Sequence, residues 1–444
     1  GEKLRIRMAA PTGKAAARLT ESMAHAMAAL PQNMRKTLPG EVATLHRLLG
    51  SRPNTRHFAH HLQNPLHVDL LVVDEASMID LEIMAALLDA LPDHARLILL
   101  GDKDQLASVE AGSVLGDLCQ YGNQANYHKE TILWIQQHTG YNLEAFEENG
   151  APLDQHIVVL RKSHRFGEES GIGALSRAVN EGKPEPVDEI WEQGFKDIWR
   201  LSVNTTDDEA FAHLILSGNC HASDPNAASG VCLNPQSKSG YGPYLERVKS
   251  GPGNDPENLW LQSVIEDFGA FQLLTPLRKG IWGVEGLNEK AADILFRSGL
   301  ISAREGWYPG RPVMITRNDY NLGLMNGDTG IVLFVNDDNS PNGETLKVVF
   351  PMADGSLKKV LPSRLNHVET VYAMTVHKSQ GSEFDHTAFV LPDRMTPVLT
   401  RELVYTAITR SREWFTLVSP RDDLLGEAIK RRIHRASGLG KLLR

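Results

Sequence analysis

Leu70-Leu71-Val72-Val73-Asp74-Glu75-Ala76-Ser77 is the stretch that decides the fold. Its four consecutive apolar residues predict a strand buried on both faces of a parallel sheet. Asp74 and Glu75 then lie at the carboxyl end of that strand, where ligands bind in open α/β sheets. Adjacent acids at this point are typical of nucleotide hydrolases, in which the first helps to hold Mg²⁺ and the second orients the attacking water. The alternative is a strand that simply runs into an acidic loop.

The residues after this strand predict a βαβ unit. Asp80 can cap a helix whose apolar residues share one face. A second apolar run at 97–100 predicts the next strand, and Gly101-Asp102-Lys103-Asp104-Gln105 follows it directly. Because consecutive parallel strands end at the same edge of a sheet, this second polar group is expected beside the two acids.

The beginning of the chain predicts one more strand and helix. Residues 4–10 alternate apolar and basic side chains, and residues 14–30 form an Ala-rich run. The pair Gly13-Lys14 does not complete a phosphate-loop motif, because Met8 and Ala15 occupy the positions that need Gly and Ser or Thr. The pair is therefore not read as a phosphate loop.

The remaining chain continues the α/β pattern with one β-rich interruption. Residues 120–156 are polar and predict a linker or insertion, whereas residues 311–365 alternate β-rich segments with turn signals and predict a small antiparallel barrel. The predicted fold class is α/β, with two parallel-sheet domains and an inserted β-barrel. The predicted ranges are 1–119 for the first domain, with a small hairpin insertion near 51–66, and 157–310 with 366–444 for the second.

Composition excludes several classes of protein. The sequence has 444 residues, a formal net charge of −9 and 41% hydrophobic residues, which predicts two to four globular domains. No run of 18 apolar residues occurs, so no membrane partner is expected. The three cysteines form no CxxC pair, which favours the cytoplasm and gives no zinc site. The net charge leaves room for a local basic groove that could bind nucleic acid.

Five segments in order resemble the motif set of superfamily 1 DNA helicases with 5′-to-3′ polarity. Residues 91–96 and 105–112 make the chain most similar to the RecD family, the α subunits of RecBCD complexes (exodeoxyribonuclease V). The resemblance is weak in 120–156 and 202–260. The five segments are Ala9-Ala10-Pro11-Thr12-Gly13-Lys14-Ala15-Ala16, Asp74-Glu75-Ala76-Ser77, Gly101-Asp102-Lys103-Asp104-Gln105-Leu106, Met374-Thr375-Val376-His377-Lys378-Ser379-Gln380-Gly381-Ser382-Glu383 and Val404-Tyr405-Thr406-Ala407-Ile408-Thr409-Arg410.

This resemblance implies two RecA-like P-loop NTPase motor domains that use ATP and Mg²⁺ to unwind DNA during double-strand-break repair and recombination. The implied partners are single-stranded DNA, duplex DNA ends, and the RecB and RecC subunits, with nuclease chemistry in RecB alone. One element of the pattern has no match, namely the Gly-rich loop that ends Gly-Lys-Thr. We expect that loop upstream of Gly1, in a missing N-terminal part, so that this chain alone binds ATP poorly. A stand-alone helicase and a DNA-binding regulatory subunit without ATP turnover are the alternatives.

The resemblance also assigns roles at the ATP site. Asp74 would coordinate Mg²⁺, Glu75 would polarise the attacking water, and Gln105 would sense the γ-phosphate. Arg165 and Arg410 would stabilise the charge that develops on the transferred phosphoryl group. Each role has a simpler alternative. Gln105 could be an ordinary loop residue, Arg410 could complement the dipole of its helix, and Arg165 could be one member of a run of basic residues.

The same resemblance assigns DNA and nucleotide contacts elsewhere. A translocase must tolerate any sequence, so contacts to phosphates and sugars are expected rather than contacts to base edges. Gly381 and Glu383 match a segment near the nucleotide, with Glu383 a candidate ribose contact. A packed or solvated histidine is the alternative at position 377. The candidate DNA-binding residues are Thr12, Thr44, His46, Arg317, Asn318, Thr375, His377 and Lys378.

Overall fold

The computed structural model describes residues 4–31, 35, 39, 42–52, 55–108, 112–167, 169–219, 240–338, 340–341, 343–352, 354–433 and 439. The chain divides into two compact units, Gly1–Arg165 with His434–Arg444 and Phe166–Ile433. Each unit contains a parallel sheet with helices packed against it, which confirms the predicted α/β class. No helix within the described ranges has both the length and the apolar character needed to cross a membrane.

The first unit is built on a four-stranded parallel sheet. Its strands are β1 (Ile6–Ala10), β2 (Val42–Thr44), β3 (Leu70–Val73) and β4 (Arg96–Leu99). Their order in the sheet is β2-β1-β3-β4. The helices of this unit are α1 (Gly13–Ala28), α2 (Leu45–Leu49), α3 (Leu81–Ala90), α4 (Val114–Leu118) and α5 (Lys129–Thr139).

Local signals determine where these helices begin and end. Asp80 caps α3 as predicted, since its Oδ1 accepts a hydrogen bond of 2.8 Å from the backbone N–H of Ile83. Gly50 ends α2 with a φ of 73°, a left-handed conformation that glycine adopts without strain. Strands β3 and β4 pair in parallel across α3, so the predicted βαβ unit is confirmed.

The two faces of this sheet are covered to different extents. Leu71, Val73 and Leu97 lie on the face that packs against α2, α3 and α4 in one apolar core. On the other face, α1 packs against β1 and β2. In β4 the side chain on this second face is that of Ile98, which is 43% exposed. Leu100, just beyond the strand, is 44% exposed. Strands of parallel sheets are normally buried on both faces, so β4 is unusual in this respect.

Residues 120–165 belong to the first unit, so the division lies later than the predicted start of the second domain at residue 157. Hydrogen bonds explain the difference. The Tyr127 hydroxyl donates to the carbonyl of Ile157 at 2.6 Å, and Arg161 donates to the carbonyl of Asn123, also at 2.6 Å. These bonds join the apolar run at 157–160 to the preceding segment.

The second unit contains two sheets. Its strands are β5 (Ile198–Ser202), β6 (Phe271–Thr275), β7 (Pro312–Ile315), β8 (Thr329–Asn336), β9 (Glu344–Pro351), β10 (Leu357–Val360), β11 (Val368–Thr370), β12 (Ala373–Thr375), β13 (Phe384–Val390) and β14 (Ser411–Ser419). The parallel sheet has the order β12-β6-β13-β14-β5, and the antiparallel sheet has the order β10-β9-β8-β7-β11. The helices are α6 (Gly171–Glu181), α7 (Pro184–Glu192), α8 (Glu209–Ser217), α9 (Gly242–Ser250), α10 (Glu257–Gly269), α11 (Val284–Arg297), α12 (Arg401–Ile408) and α13 (Leu424–Lys430).

The antiparallel sheet occupies the region predicted as an inserted barrel. Its strands pack around an apolar core that includes Val313, Val332, Val348 and Phe350. In the described pairings β10 and β11 are the two edges, so closure into a barrel is not confirmed. Strand β11 also extends the sheet past the predicted end at residue 365.

Four buried tyrosines form hydrogen bonds where the chain enters and leaves the antiparallel sheet of the second unit. Tyr244 donates to the carbonyl of Gly310 at 2.9 Å, at the entry to the antiparallel sheet. Tyr241 donates to the carbonyl of Tyr372, and the Tyr372 hydroxyl lies 3.2 Å from that of Tyr308, at the exit. Burial raises the pKa of all four hydroxyls, so they stay protonated and remain able to donate.

Candidate functional site

Asp74 and Glu75 follow β3 in the interior of the first sheet, and both side chains are half-buried. Asp74 Oδ1 accepts a hydrogen bond of 2.9 Å from the backbone N–H of Glu75. Glu75 has φ 51° and ψ 39°, the left-handed conformation that costs a residue with a Cβ about 1–2 kcal/mol. Among the described non-glycine residues, only Ala125 and Asn126 share a positive φ. Strained backbone of this kind concentrates at functional sites.

The end of β4 lies directly against the backbone that follows Glu75. The N–H of Ala76 donates to the carbonyl of Leu100 at 2.8 Å. A Cβ on Gly101 would lie 3.0 Å from the Ala76 nitrogen and 2.8 Å from a methyl carbon of Leu115. Only glycine fits this approach, which brings the second polar group to the same edge as the acids.

Asp102 organises the loop that carries Gln105. Its Oδ2 accepts a hydrogen bond of 3.2 Å from Gln105 Nε2, and its Oδ1 accepts one of 3.0 Å from the backbone N–H of Asp104. Lys103 pairs with the carboxylate of Asp104 at 2.8 Å. The predicted sensor glutamine is therefore held by a neighbouring carboxylate.

The two predicted arginines lie in different units. Arg410 follows α12 in the second unit and is 2% exposed. Its Nε donates to the carbonyl of Thr406 at 3.3 Å and its Nη1 to that of Ser382 at 3.2 Å. Arg165 is exposed and is the last residue of the continuous part of the first unit. A shared role at one triphosphate stays a prediction for this pair.

Three predicted DNA-binding threonines each cap the start of the helical turn that follows a strand. Thr12 follows β1, while Thr44 and Thr375 end β2 and β12, the first strands in the order of their parallel sheets. Each hydroxyl accepts a hydrogen bond from the backbone N–H three residues later, at 3.2 Å, 3.2 Å and 3.3 Å. The sequences Thr44-Leu45-His46-Arg47 and Thr375-Val376-His377-Lys378 match in character as well as in position. The two parallel sheets thus present the same short turn at corresponding strand ends.

Comparisons with known proteins place this geometry in a family. Residues 1–111 match the model described as AAA domain, and residues 370–418 match the model described as UvrD-like helicase C-terminal domain. The RecBCD enzyme subunit RecD of Haemophilus influenzae is 37% identical over 460 residues, which cover 99% of this chain and 66% of that relative. The chain belongs to the RecD family. This RecD-family chain therefore spans about two thirds of the length of that relative.

Two further comparisons concern more distant proteins. The ATP-dependent RecD2 DNA helicase of Deinococcus radiodurans is 30% identical over 416 residues, which cover 93% of this RecD-family chain and 42% of that protein. A crystal structure of Pif1 helicase from Bacteroides in complex with ADP-AlF3 and ssDNA is 15% identical, with a TM-score of 0.41. It covers 95% of this chain and 90% of that one.

Several predicted site residues of this RecD-family chain already have protein partners. Lys378 Nζ lies 2.6 Å from Glu369, which also pairs with Arg278. Glu383 is 3.4 Å from Arg412 Nε. The exposed His46 ring contacts Phe58 edge-on, with ring centroids 5.9 Å apart. Gly381 has a φ of 75°, and His377 is half-buried. Nucleotide or DNA contacts by these residues stay predictions.

The sequence interpretation missed Asp102, Glu369 and Arg412 as partners of site residues. Asp102 lies three residues before Gln105, so its spacing was the one available signal. Glu369 and Arg412 come from other strands and carry no local signal. Of the cysteines, Cys119 is half-buried with a free thiol whose pKa burial raises, while Cys220 and Cys232 lie outside the described residues. Residues 109–111 of the helicase-like segment lie outside them as well.

Proposed function

We propose that this RecD-family protein is an ATP-driven DNA helicase subunit that moves 5′-to-3′ along single-stranded DNA. The observation that carries the proposal is the carboxyl edge of the first sheet. There a half-buried Asp74, a Glu75 held in a left-handed conformation, and a Gln105 oriented by Asp102 follow two adjacent strands. Carboxylates and an amide at the ends of parallel strands are the groups that orient water and phosphate in nucleotide hydrolases.

The donor set at this edge fits Mg²⁺. This ion is usually bound by one or two carboxylates, with phosphates and water completing its coordination. Asp74 would be the protein ligand, and the ion when bound would neutralise charge on the phosphates of ATP. Within the described ranges no group of three or more His, Cys, Asp or Glu side chains could hold a metal.

Glu75 would act on the water that attacks the γ-phosphate. Its carboxylate can accept a hydrogen bond from that water, which orients the water and receives its proton as the phosphoryl group is transferred. Gln105 can exchange its bond to Asp102 for bonds to a phosphate oxygen and the water, because an amide both donates and accepts. Arg165 and Arg410 would stabilise the equatorial oxygens, and Glu383 with Gly381 would lie near the ribose.

We further propose that β4 receives an additional strand and helix that carry the phosphate loop. Strand β4 is an edge of the described sheet, and the exposed Ile98 and Leu100 extend an apolar face that α1 covers only over β1 and β2. A strand paired with β4, followed by a helix on this face, would bury both residues and place a phosphate loop beside the acids.

The proposed partners are RecB and RecC, and the proposed task is the processing of duplex DNA ends in double-strand-break repair, in the cytoplasm. The name of the Haemophilus influenzae relative, a RecBCD enzyme subunit, supports the assembly. We propose that this chain contributes no nuclease chemistry. Measurable DNA cleavage by the isolated complete protein would contradict that statement.

The decisive experiment replaces Glu75 by Gln in the complete protein. DNA-stimulated ATP hydrolysis should be abolished while nucleotide binding is largely kept, because the amide preserves size and cannot take a proton from water. Glu82→Gln is the matched control, since Glu82 is an exposed carboxylate in the first turn of α3. Turnover by Glu75→Gln within about threefold of the parent would refute the role of Glu75, because general-base removal costs at least about a hundredfold.

Two rivals are distinguished by simple measurements. A stand-alone helicase is supported by the 30% identity to the RecD2 DNA helicase of Deinococcus radiodurans. Stable co-purification with two larger chains favours the RecBCD assignment, and a fully active monomer favours this rival. A DNA-binding regulatory subunit would bind single-stranded DNA without hydrolysing ATP even in its complete form.

A further inference from the structure

The connection between β7 and β8 presents an exposed aromatic side chain on a rigid support. Tyr320 is 76% exposed, the largest exposed fraction among the described aromatic residues. The backbones of Asp319 and Leu324 form a mutual bridge, with N–H to carbonyl distances of 2.7 Å and 3.0 Å. Leu322 and Leu324 are buried in the core of the antiparallel sheet and anchor this loop. Tyr320 is thus held outward by a well-packed loop.

The carboxylates of the loop are engaged internally. Asp319 Oδ1 accepts from the N–H groups of Asn321 and Leu322 at 3.1 Å and 3.0 Å. Asp328 Oδ2 accepts a hydrogen bond of 2.7 Å from the backbone N–H of Met325. Both acids therefore direct at least one carboxylate oxygen toward the backbone of their own loop.

Two cations lie on or beside the loop that carries this aromatic residue. Arg317 is exposed three residues before Tyr320, and Lys358 Nζ lies 3.4 Å from where a Cβ of Gly323 would be. In the described part of the chain neither cation makes an ion pair, whereas Lys347 and Lys359 of the same sheet pair with Asp337 and Glu257. The loop consequently combines an exposed aromatic side chain with two cations.

We propose that Tyr320 is a stacking platform for one base of single-stranded DNA, with Arg317 and Lys358 contacting the flanking phosphates. An aromatic face beside unpaired cations is the combination that binds single strands without sequence preference. The platform belongs to the antiparallel sheet, whereas Thr12, Thr44 and Thr375 belong to the parallel sheets. It rests on the proposed function, because it assigns part of the same DNA path to this loop. Asn318 supports the platform, since its Nδ2 donates to the Tyr320 hydroxyl at 3.3 Å and its Oδ1 accepts from Asn326 at 2.8 Å.

The test measures binding of the complete protein to a fluorescent oligo-dT by anisotropy. Tyr320→Ala should weaken binding by about 5- to 150-fold, the range that one base–aromatic stack supplies, and Tyr320→Phe should restore the affinity to within about twofold. Tyr141→Ala is the matched control, because Tyr141 is 73% exposed and lies in the first unit. Equal affinities for Tyr320→Ala and Tyr141→Ala would overturn the proposal. Absence of binding by the parent itself would instead refute the proposed function.

Salt dependence separates the roles of the three residues. Arg317→Gln and Lys358→Gln should each reduce the slope of log affinity against log salt by about 0.7, whereas Tyr320→Ala should leave the slope unchanged. An oligonucleotide with one abasic position in the contacted register should bind the parent more weakly but Tyr320→Ala equally well. Slopes unaffected by both cation variants, or an abasic penalty that persists in Tyr320→Ala, would refute base stacking with phosphate contacts at this loop.

Discussion

Replacement of Glu75 by glycine should remove activity without destabilising the protein. Glu75 has a φ of 51°, which is strained for any residue with a Cβ and unstrained for glycine. The carboxylate is proposed to orient the attacking water, so Glu75→Gly should have no measurable DNA-stimulated turnover. A loss of function without a loss of stability is the expected signature of a residue whose conformation is imposed for chemistry.

The magnitude follows from two opposing terms. Relief of the left-handed strain stabilises the folded state by about 1–2 kcal/mol. The greater freedom of glycine in the unfolded chain offsets about 0.5–1 kcal/mol of that gain. The free energy of unfolding should therefore rise by between about 0 and 1.5 kcal/mol. For a unit of this size that corresponds to an increase in Tm of at most about 6 °C.

Differential scanning calorimetry of the complete protein is the assay, with Glu82→Gly as the matched control. Glu82 lies in the first turn of α3, in an ordinary helical conformation, so the same substitution there should cost about 0.5–1 kcal/mol. The two variants should move the Tm of the first unit in opposite directions. An equal decrease for both would refute the inference that the left-handed backbone at Glu75 stores strain.

Three further predictions concern the second polar group, a buried histidine and a capping threonine. Gly101→Ala should destabilise the first unit by about 1–3 kcal/mol in urea unfolding and should lower ATP turnover. The reason is that the new Cβ would lie 3.0 Å from the Ala76 nitrogen, and unchanged stability would contradict this close approach. His386 is fully buried, and burial lowers its pKa to about 3. The unfolded state therefore binds the extra proton, and stability present above about pH 6.5 should be lost as the pH falls toward 3, by up to about 1.4 kcal/mol per pH unit. His386→Gln should flatten the pH dependence of the free energy of unfolding between pH 6.5 and 4.5. An unaltered slope would contradict the assignment of that dependence to His386. Thr375→Val should cost about 1 kcal/mol in urea unfolding and weaken single-stranded DNA binding, whereas Thr375→Ser should retain both; equal behaviour of the two would exclude the cap.

Features of the fold that depend on near neighbours in the chain were predictable from the sequence. The apolar run before Asp74 predicted a strand and Asp80 predicted the start of a helix, because each signal acts within about four residues. The βαβ unit from β3 to β4 followed from the same signals, since a short right-handed crossover leaves few alternatives. The antiparallel pairing of residues 311–365 was likewise indicated by alternation and turn residues, although its closure was not.

Features that depend on distant residues were decided by the tertiary structure alone. The left-handed φ of Glu75 and the need for glycine at 101 arise where β3 and β4 end side by side, more than 20 residues apart in sequence. Tyr241, in a region where the sequence carried little signal, binds the carbonyl of Tyr372, 131 residues later. Local propensity specifies which elements form and where polar groups follow them. Only packing determines which of those groups meet, because it depends on contacts between residues that no sequence window contains.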